Sequence, residues 1–419
     1  MIPLVVAILL GALASPAADG ADRGAVPAPG APESSTQAPL LGPGHLKYLG
    51  AFRVPGGPIG ASTFAYGGTS LAYDAAKTSL LVVGHAHHQM VAEIGIPAVV
   101  NSARLDELAT APVRQPFADV TRGKLGTIGP GTVRVGGLLP HRGQLIVTGY
   151  VYYDANGAQT LSHLVTAANF AGTEAPRGFY AVGKLGAGFV SGYMATVPPA
   201  WQRALGGPAL TGQCCLSIIS RTSFGPAVFA FDPDDLGAKS PVPTSPLVYY
   251  PQRAPLGPWD GASPHFNTTT EITGMILPAA TRSLLFFGRH GRGPYDYGCG
   301  TGDEPLPPPR PDCPKWIHDP EESAKGPHAY PYDYQVWAYD VLDLAAVKAG
   351  QRQPWEVKPY RVWTLKLPFP AKKTHLGGVA YDPQSDRVYL AQLYADVVGF
   401  DPLPVIHVFQ VVRDPAAKD

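Results

Sequence analysis

The chain has 419 residues, with Lys plus Arg equal to Asp plus Glu at 32 each and only 15% charged residues. No net charge or basic run is present to gather nucleic acid or anionic lipid, so neither is an expected partner. Gly and Pro are abundant, at 48 and 46 residues and without a short period, which suits many tight turns between short strands.

In chain order, Ile2 to Leu13 form an apolar run followed by the small-x-small pattern Ala12-Leu13-Ala14. The run is too short to span a bilayer, so residues 1–14 read as a signal peptide, with no transmembrane helix and a secreted or periplasmic destination. Residues 15–44, rich in Pro, Ala and Gly, bury too little surface to offset their ordering entropy and read as a disordered leader. A single folded domain is expected over 45–413, carrying a long insertion at 291–333 and followed by a short tail, 414–419.

Internal repeats set the architecture. Gly68-Thr-Ser-Leu-Ala-Tyr-Asp74 with Leu80-Leu-Val-Val-Gly84 matches Gly377-Gly-Val-Ala-Tyr-Asp382 with Val388-Tyr-Leu390, each being strand, turn, strand. The outline recurs at Gly136–Pro140 with Leu145–Gly149, and at Thr273–Pro278 with Leu284–Gly288. A weaker copy starts near Phe189-Val-Ser-Gly192, with a short helix over Pro199–Leu205 before its second strand. A second repeat, Val228-Phe-Ala-Phe-Asp232 and Val336-Trp-Ala-Tyr-Asp340, supplies outer hairpins. Inner plus outer hairpin makes a four-stranded unit. Leu46–Val54 resembles the strand missing after Val405–Phe409, so the two ends of the domain would pair.

These hairpins resemble the blades of the β-propeller superfamily over nearly the whole of 45–413, with no narrower family indicated. The resemblance implies an all-β fold: a single five-bladed propeller of four-stranded blades whose ring is closed by the N-terminal strand. The competing architecture is a pair of β-sandwiches. Glycines inside the strands are expected to serve close packing about the axis.

Cys299 and Cys313 are expected to form a disulfide that clips the insertion, contributing ~3 kcal/mol for a loop of about 15 residues. The adjacent Cys214 and Cys215 read equally as a vicinal disulfide or as thiols.

In such a ring the starts of the innermost strands and the loops after the second strands share one face. A common register there places Gly67, Arg134, Phe189, Glu271 and His375 at equivalent points, with Arg134, Glu271 and His375 expected within ~10 Å of one another. The adjoining loops add His85, His87 and His88, then Tyr150, Tyr152 and Tyr153, then Arg289 and His290, and the insertion adds Trp316, His318, His328 and Tyr330. His265 is placed in the same neighbourhood and His141 in the opposite turn.

Glu271, His375, Arg134 and Tyr152 are the candidate catalytic residues, and Arg289, Tyr153, Trp316 and His328 the candidate ligand contacts. His85, His290 and His375, with Glu271, would suit zinc, manganese or iron, so a divalent metal is a candidate cofactor. Without metal, the same set fits hydrolase or lyase chemistry on an acidic sugar or an ester, with Arg134 neutralising the substrate's carboxylate and His or Tyr shuttling the proton, in which some propeller polysaccharide lyases are similar. Exported five-bladed propellers also include arabinanase-like and invertase-like glycosidases, which need two carboxylates. Here only Glu271 holds an innermost-strand start, so a second would come from Asp260, Asp154 or the insertion. The bland readings are an Arg134–Glu271 ion pair holding two blades in register, or a non-catalytic platform whose tyrosines stack on carbohydrate or protein. A small-molecule or carbohydrate ligand and a monomeric state are expected.

Overall fold

The computed structural model describes residues 33–216 and 219–414. The signal peptide, most of the leader, and residues 415–419 of the tail lie outside them. The described part of the leader departs from the expectation of disorder. Leu41 is buried, its amide donates to Ser283 Oγ at 2.8 Å, and its carbonyl accepts from the Tyr360 hydroxyl at 2.6 Å. An apolar side chain and two satisfied backbone groups therefore fix this segment before residue 45.

Five four-stranded antiparallel sheets and one three-stranded sheet make up the described residues, an all-β arrangement that fits a β-propeller. The strand β1 (Leu46–Arg53) comes first. One sheet is β2 (Leu71–Asp74), β3 (Ser79–Val83), β4 (Val91–Gly95) and β5 (Val113–Ala118). The next is β6 (Val133–His141), β7 (Gln144–Val151), β8 (His163–Ala167) and β9 (Arg177–Tyr180). The third is β10 (Met194–Thr196), β11 (Ala209–Thr211), β12 (Val228–Phe231) and β13 (Thr244–Val248), with the expected helix Pro199–Leu205 between its first two strands.

The fourth begins with β14 (Glu271–Ile276) and β15 (Ser283–Gly291). The insertion follows as β16 (Asp296–Thr301), β17 (Trp316–His318) and β18 (Lys325–His328), a small sheet of its own. The fourth sheet then resumes with β19 (Tyr332–Asp340) and β20 (Arg361–Thr364). The last sheet joins β21 (Leu376–Asp382), β22 (Arg387–Val398) and β23 (Asp401–Val411) to β1, so both ends of the domain share one sheet, as the sequence suggested.

Continuous apolar runs mark the strands buried on both faces. β3 and β15 are buried along their whole lengths, because each is a second strand covered on both faces by neighbouring sheets. First strands touch in cyclic order: β2 against β6, β6 against β10, β10 against β14, β14 against β21, and β21 against β2. Glycine permits this approach. A Cβ at Gly136 would overlap the Ser191 carbonyl, and one at Gly377 the Gly68 carbonyl.

Cys299 is bonded to Cys313, as expected, and Cys214 to Cys215. The insertion is shorter than its expected bounds at both ends, since β15 continues to Gly291 and β19 begins at Tyr332. Its backbone is paired rather than irregular: β16 runs parallel to β17 and antiparallel to β18.

Phe286 on β15 is fully buried and meets Tyr193 and Tyr339 edge to face, at ring separations of 5.9 and 5.4 Å. Phe286→Ala should cost ~3–5 kcal/mol in a chemical denaturation experiment, because such a site cannot collapse around the lost ring. A loss below ~1 kcal/mol would contradict the packing described.

Candidate functional site

Glu271 opens β14, and Arg289 stands opposite it on β15. The Arg289 guanidinium donates through Nη2 to Glu271 Oε1 and through Nη1 to Glu322 Oε1, both at 2.9 Å. Its plane lies 4.6 Å above the ring centre of Tyr332, the first residue of β19. His375 immediately precedes β21 and completes the group. Its Nδ1 is 3.0 Å from Glu271 Oε2, and its Nε2 faces both Glu322 Oε1 and, at 2.9 Å, Arg289 Nη1.

Two protonation states of His375 are thereby accommodated. The imidazolium donates from Nδ1 to Glu271 and from Nε2 to Glu322. The neutral ring with its proton on Nδ1 still donates to Glu271, while Nε2 accepts from Arg289. A residue supplied with partners in both states is equipped to give and take a proton.

Glu322 comes from the insertion, and its placement has a traceable cause. Asp319 is fully buried; its Oδ1 accepts the amides of Glu321 and Glu322, at 3.0 Å each, which turns the chain toward the site. Asp319 Oδ2 in turn accepts from His328 Nδ1 at 2.7 Å and from the Tyr332 hydroxyl at 2.6 Å. Tyr332 therefore supports Arg289 with its face and anchors Asp319 with its hydroxyl. On the far side Glu321 accepts from Thr374, and Glu322 Oε2 from Lys373 Nζ at 2.9 Å, so the insertion is clamped to the segment entering β21.

Charge coupling fixes the titration of the group. Burial works to raise the Glu271 carboxyl, but Arg289 and then His375 outweigh it and hold it down at about 2. Glu322 is likewise lowered, burial being overcome by the His375 hydrogen bond and the Arg289 charge. His375 is raised: burial and Arg289 oppose its charge, and the two carboxylates prevail. The Glu271 side chain is the most open of the group at 36% exposed, against 16% for His375 and 8% for Arg289.

The rest of the mouth is aromatic and cationic. Tyr394, in a bulge of β22, lies 5.9 Å from the His375 ring and 6.5 Å from Tyr66, and Tyr66 lies 5.6 Å from His85. Tyr66 and Tyr394 both take left-handed backbone angles, φ 53° and 57°, a conformation that bulky residues keep only where the surroundings impose it. Arg134, near the start of β6, donates from Nη1 to the Ala86 carbonyl at 3.2 Å and lies 5.6 Å over the Tyr152 ring.

Several sequence expectations are corrected. Glu271 and His375 meet, but the cation paired with Glu271 is Arg289; Arg134 bonds neither residue. The expected metal set does not converge. His290 is buried, with Nδ1 bonded to Thr270 Oγ1 and Nε2 to the Ser263 carbonyl, at 2.8 and 2.6 Å. His85 stacks on His88 with ring centres 4.6 Å apart, and His375 is engaged by carboxylates. Among the described residues no cluster of His, Cys, Asp or Glu has the arrangement of a metal site. His328 is a buried partner of Asp319, not a ligand contact, and Trp316 donates to the Pro308 carbonyl beneath Arg310, within the insertion. His265 lines a separate groove of about 660 Å³ on the flank of β20. Tyr153 is 64% exposed and Tyr152 47%.

Glu322, Tyr332, Lys373, Tyr66 and Tyr394 were not among the residues singled out from the sequence. Glu322 lies in the insertion, one of the sources from which a second carboxylate was expected, and it bonds Arg289 and His375.

No family model matches the chain, and no curated protein does. Among solved structures, Chaetomium thermophilum Raptor overlaps 88% of this chain at 10% identity with a TM-score of 0.30, the match spanning 30% of the Raptor chain. The periplasmic gluconolactonase of Pseudomonas aeruginosa overlaps 82% of this chain and 73% of its own at 11% identity, with a TM-score of 0.26. Overlaps this loose leave function to be read from the site itself.

The shifts define a pH profile of stability. His375, raised above its ordinary 6.5, contributes stability that is complete below 6.5 and lost as pH rises through the folded-state value. Glu271, lowered from 4.5 to about 2, contributes above 4.5 and loses that contribution as pH falls toward about 2. The stability difference between the protein and His375→Gln, measured by urea unfolding, should be largest between pH 4.5 and 6.5 and shrink as pH rises beyond it. A difference independent of pH would contradict the charge coupling.

Proposed function

We propose that this protein is an exported five-bladed β-propeller, with the five four-stranded sheets as its blades, and that it is a carbohydrate- or ester-active hydrolase or lyase working at the mouth formed by Glu271 and His375. The observation that carries this reading is a solvent-facing carboxylate 3.0 Å from a ring nitrogen of an imidazole that has partners in both protonation states. Hydrolysis and elimination both require a proton taken at one atom and given at another. Ionised Glu271 is the acceptor, and charged His375 is the donor.

Arg289 and Lys373 keep both carboxylates ionised and oriented toward His375. A two-carboxylate glycosidase needs one carboxyl with a raised pKa as its acid, whereas Glu271 and Glu322 are both lowered, so the acid is assigned to His375. Tyr394 and Tyr66 offer flat faces beside His375, the kind of surface on which a sugar ring stacks. Export accords with two disulfides in one chain, and no helix among the described residues is long and apolar enough to cross a membrane.

The exposed Tyr152 and Tyr153 favour a second reading, a binding platform without turnover. The two separate on one experiment. A panel of soluble polysaccharides and sugar esters is screened for reducing ends, unsaturated ends or released acid. On the substrate found, Glu271→Gln should lower kcat by ~10²–10⁴-fold, the usual size of an acid–base contribution, with an unchanged circular dichroism spectrum. Full activity in Glu271→Gln would remove this pair from the chemistry, and binding without turnover across the panel would establish the platform.

A further inference from the structure

We infer that the ligand of this mouth carries a carboxylate, an acidic sugar of the uronate class, and that Arg134 is the residue that reads it. This rests on the proposed reading of the site and adds the substrate class to it. The mouth holds two guanidinium groups in opposite circumstances. Arg289 is buried and already committed to Glu271 and Glu322. Arg134 is half-buried, has no carboxylate partner among the described residues, and bonds there through Nη1 to the Ala86 carbonyl.

The surroundings hold Arg134 ready. The Ala86 carbonyl fixes one edge of its plane, and the Tyr152 ring, 5.6 Å away, covers a face. A guanidinium held on one edge and one face offers its remaining N–H groups in a fixed fork, the geometry that a planar carboxylate matches with two parallel hydrogen bonds. Arg134 bonds the carbonyl of Ala86, next to His85, and from the His85 ring those of Tyr66, Tyr394 and His375 follow in a row at separations of 5.6, 6.5 and 5.9 Å. Arg134 and the proposed acid–base pair therefore stand at the two ends of one row of rings, Arg134 on β6 and His375 in the segment before β21.

Charge balance points the same way. Across the group Arg289, Lys373 and charged His375 are matched by Glu271, Glu321 and Glu322, which leaves Arg134 as the uncompensated cation. A neutral ligand would leave Arg134 desolvated and unpaired when it closed the mouth, and a carboxylate compensates it. A single guanidinium with no further cation bonded beside it matches a singly charged carboxylate better than a doubly charged phosphate.

The test uses the full chain carrying Glu271→Gln, so that binding is read without turnover. The probes are trimers of galacturonate, of glucuronate and of guluronate, their methyl esters, and the 6-phosphates of the parent sugars, titrated by calorimetry. At least one acid trimer should bind ten-fold or more tightly than its ester, with affinity falling as salt is added. Adding Arg134→Gln should bring acid and ester to equal affinity while the melting temperature stays put. Equal binding of acid and ester, a preference that survives Arg134→Gln, tighter binding of the phosphates, or no binding by any acid trimer would each overturn the inference. The outcome stays separable from the catalytic reading. Acid preference through Arg134 with no turnover by the unmodified protein sinks only the chemistry, and turnover with equal acid and ester affinity sinks only the substrate class.

Discussion

A buried guanidinium must be paired, and much of the site follows from Arg289. It sits on a second strand, between a first strand and an outer one, where water cannot solvate it. Two carboxylates reach it, one of them from the adjoining strand. Glu271 is that one, because antiparallel register sets it directly across from Arg289. Glu322 must be brought from elsewhere in the chain, and the insertion brings it. His375 then fits between two ionised carboxylates, which is why burial does not strip it of its charge.

Within the insertion, Asp319 is the pivot. It bonds His328, Tyr332 and the amides that lead into Glu322, so the insertion's own sheet, the aromatic floor under Arg289 and the second carboxylate share one buried acceptor. The Cys299–Cys313 bond closes the opposite side of this unit, and Glu321 with Thr374 pins it to the last sheet. Three parts of the chain distant in sequence are in this way held to one geometry.

The sheets were legible because each repeat carries an apolar strand, a turn and an apolar strand, and burial on both faces leaves little freedom in register. The same register identified Glu271 and His375, since equivalent positions in a cyclic arrangement face one axis. It left open which cation Glu271 bonds, for facing the axis does not settle that choice, and Arg289 lies directly across the strand pair. Glu322 and Asp319 could not be singled out, because the insertion repeats nothing and its fold depends on buried hydrogen bonds without periodicity. Tyr394 was hidden by the bulge in β22, where alternation fails, and Tyr66 by a turn. The metal set failed for a related reason: histidines near one another in a register count are still free to spend their nitrogens on neighbouring hydroxyls and carbonyls, as His290 does.

The central claim is that the insertion's Glu322 and the strand-borne Glu271 together hold His375 as a charged proton donor beside an ionised acceptor. Histidine-ring nuclear magnetic resonance, with His375 assigned by its loss in His375→Gln, reads this directly in a pH titration of the protein and of Glu322→Gln. The account predicts a His375 pKa above 6.5 in the protein and a clear fall when Glu322 loses its charge. A His375 that titrates at its ordinary value in both proteins would contradict it.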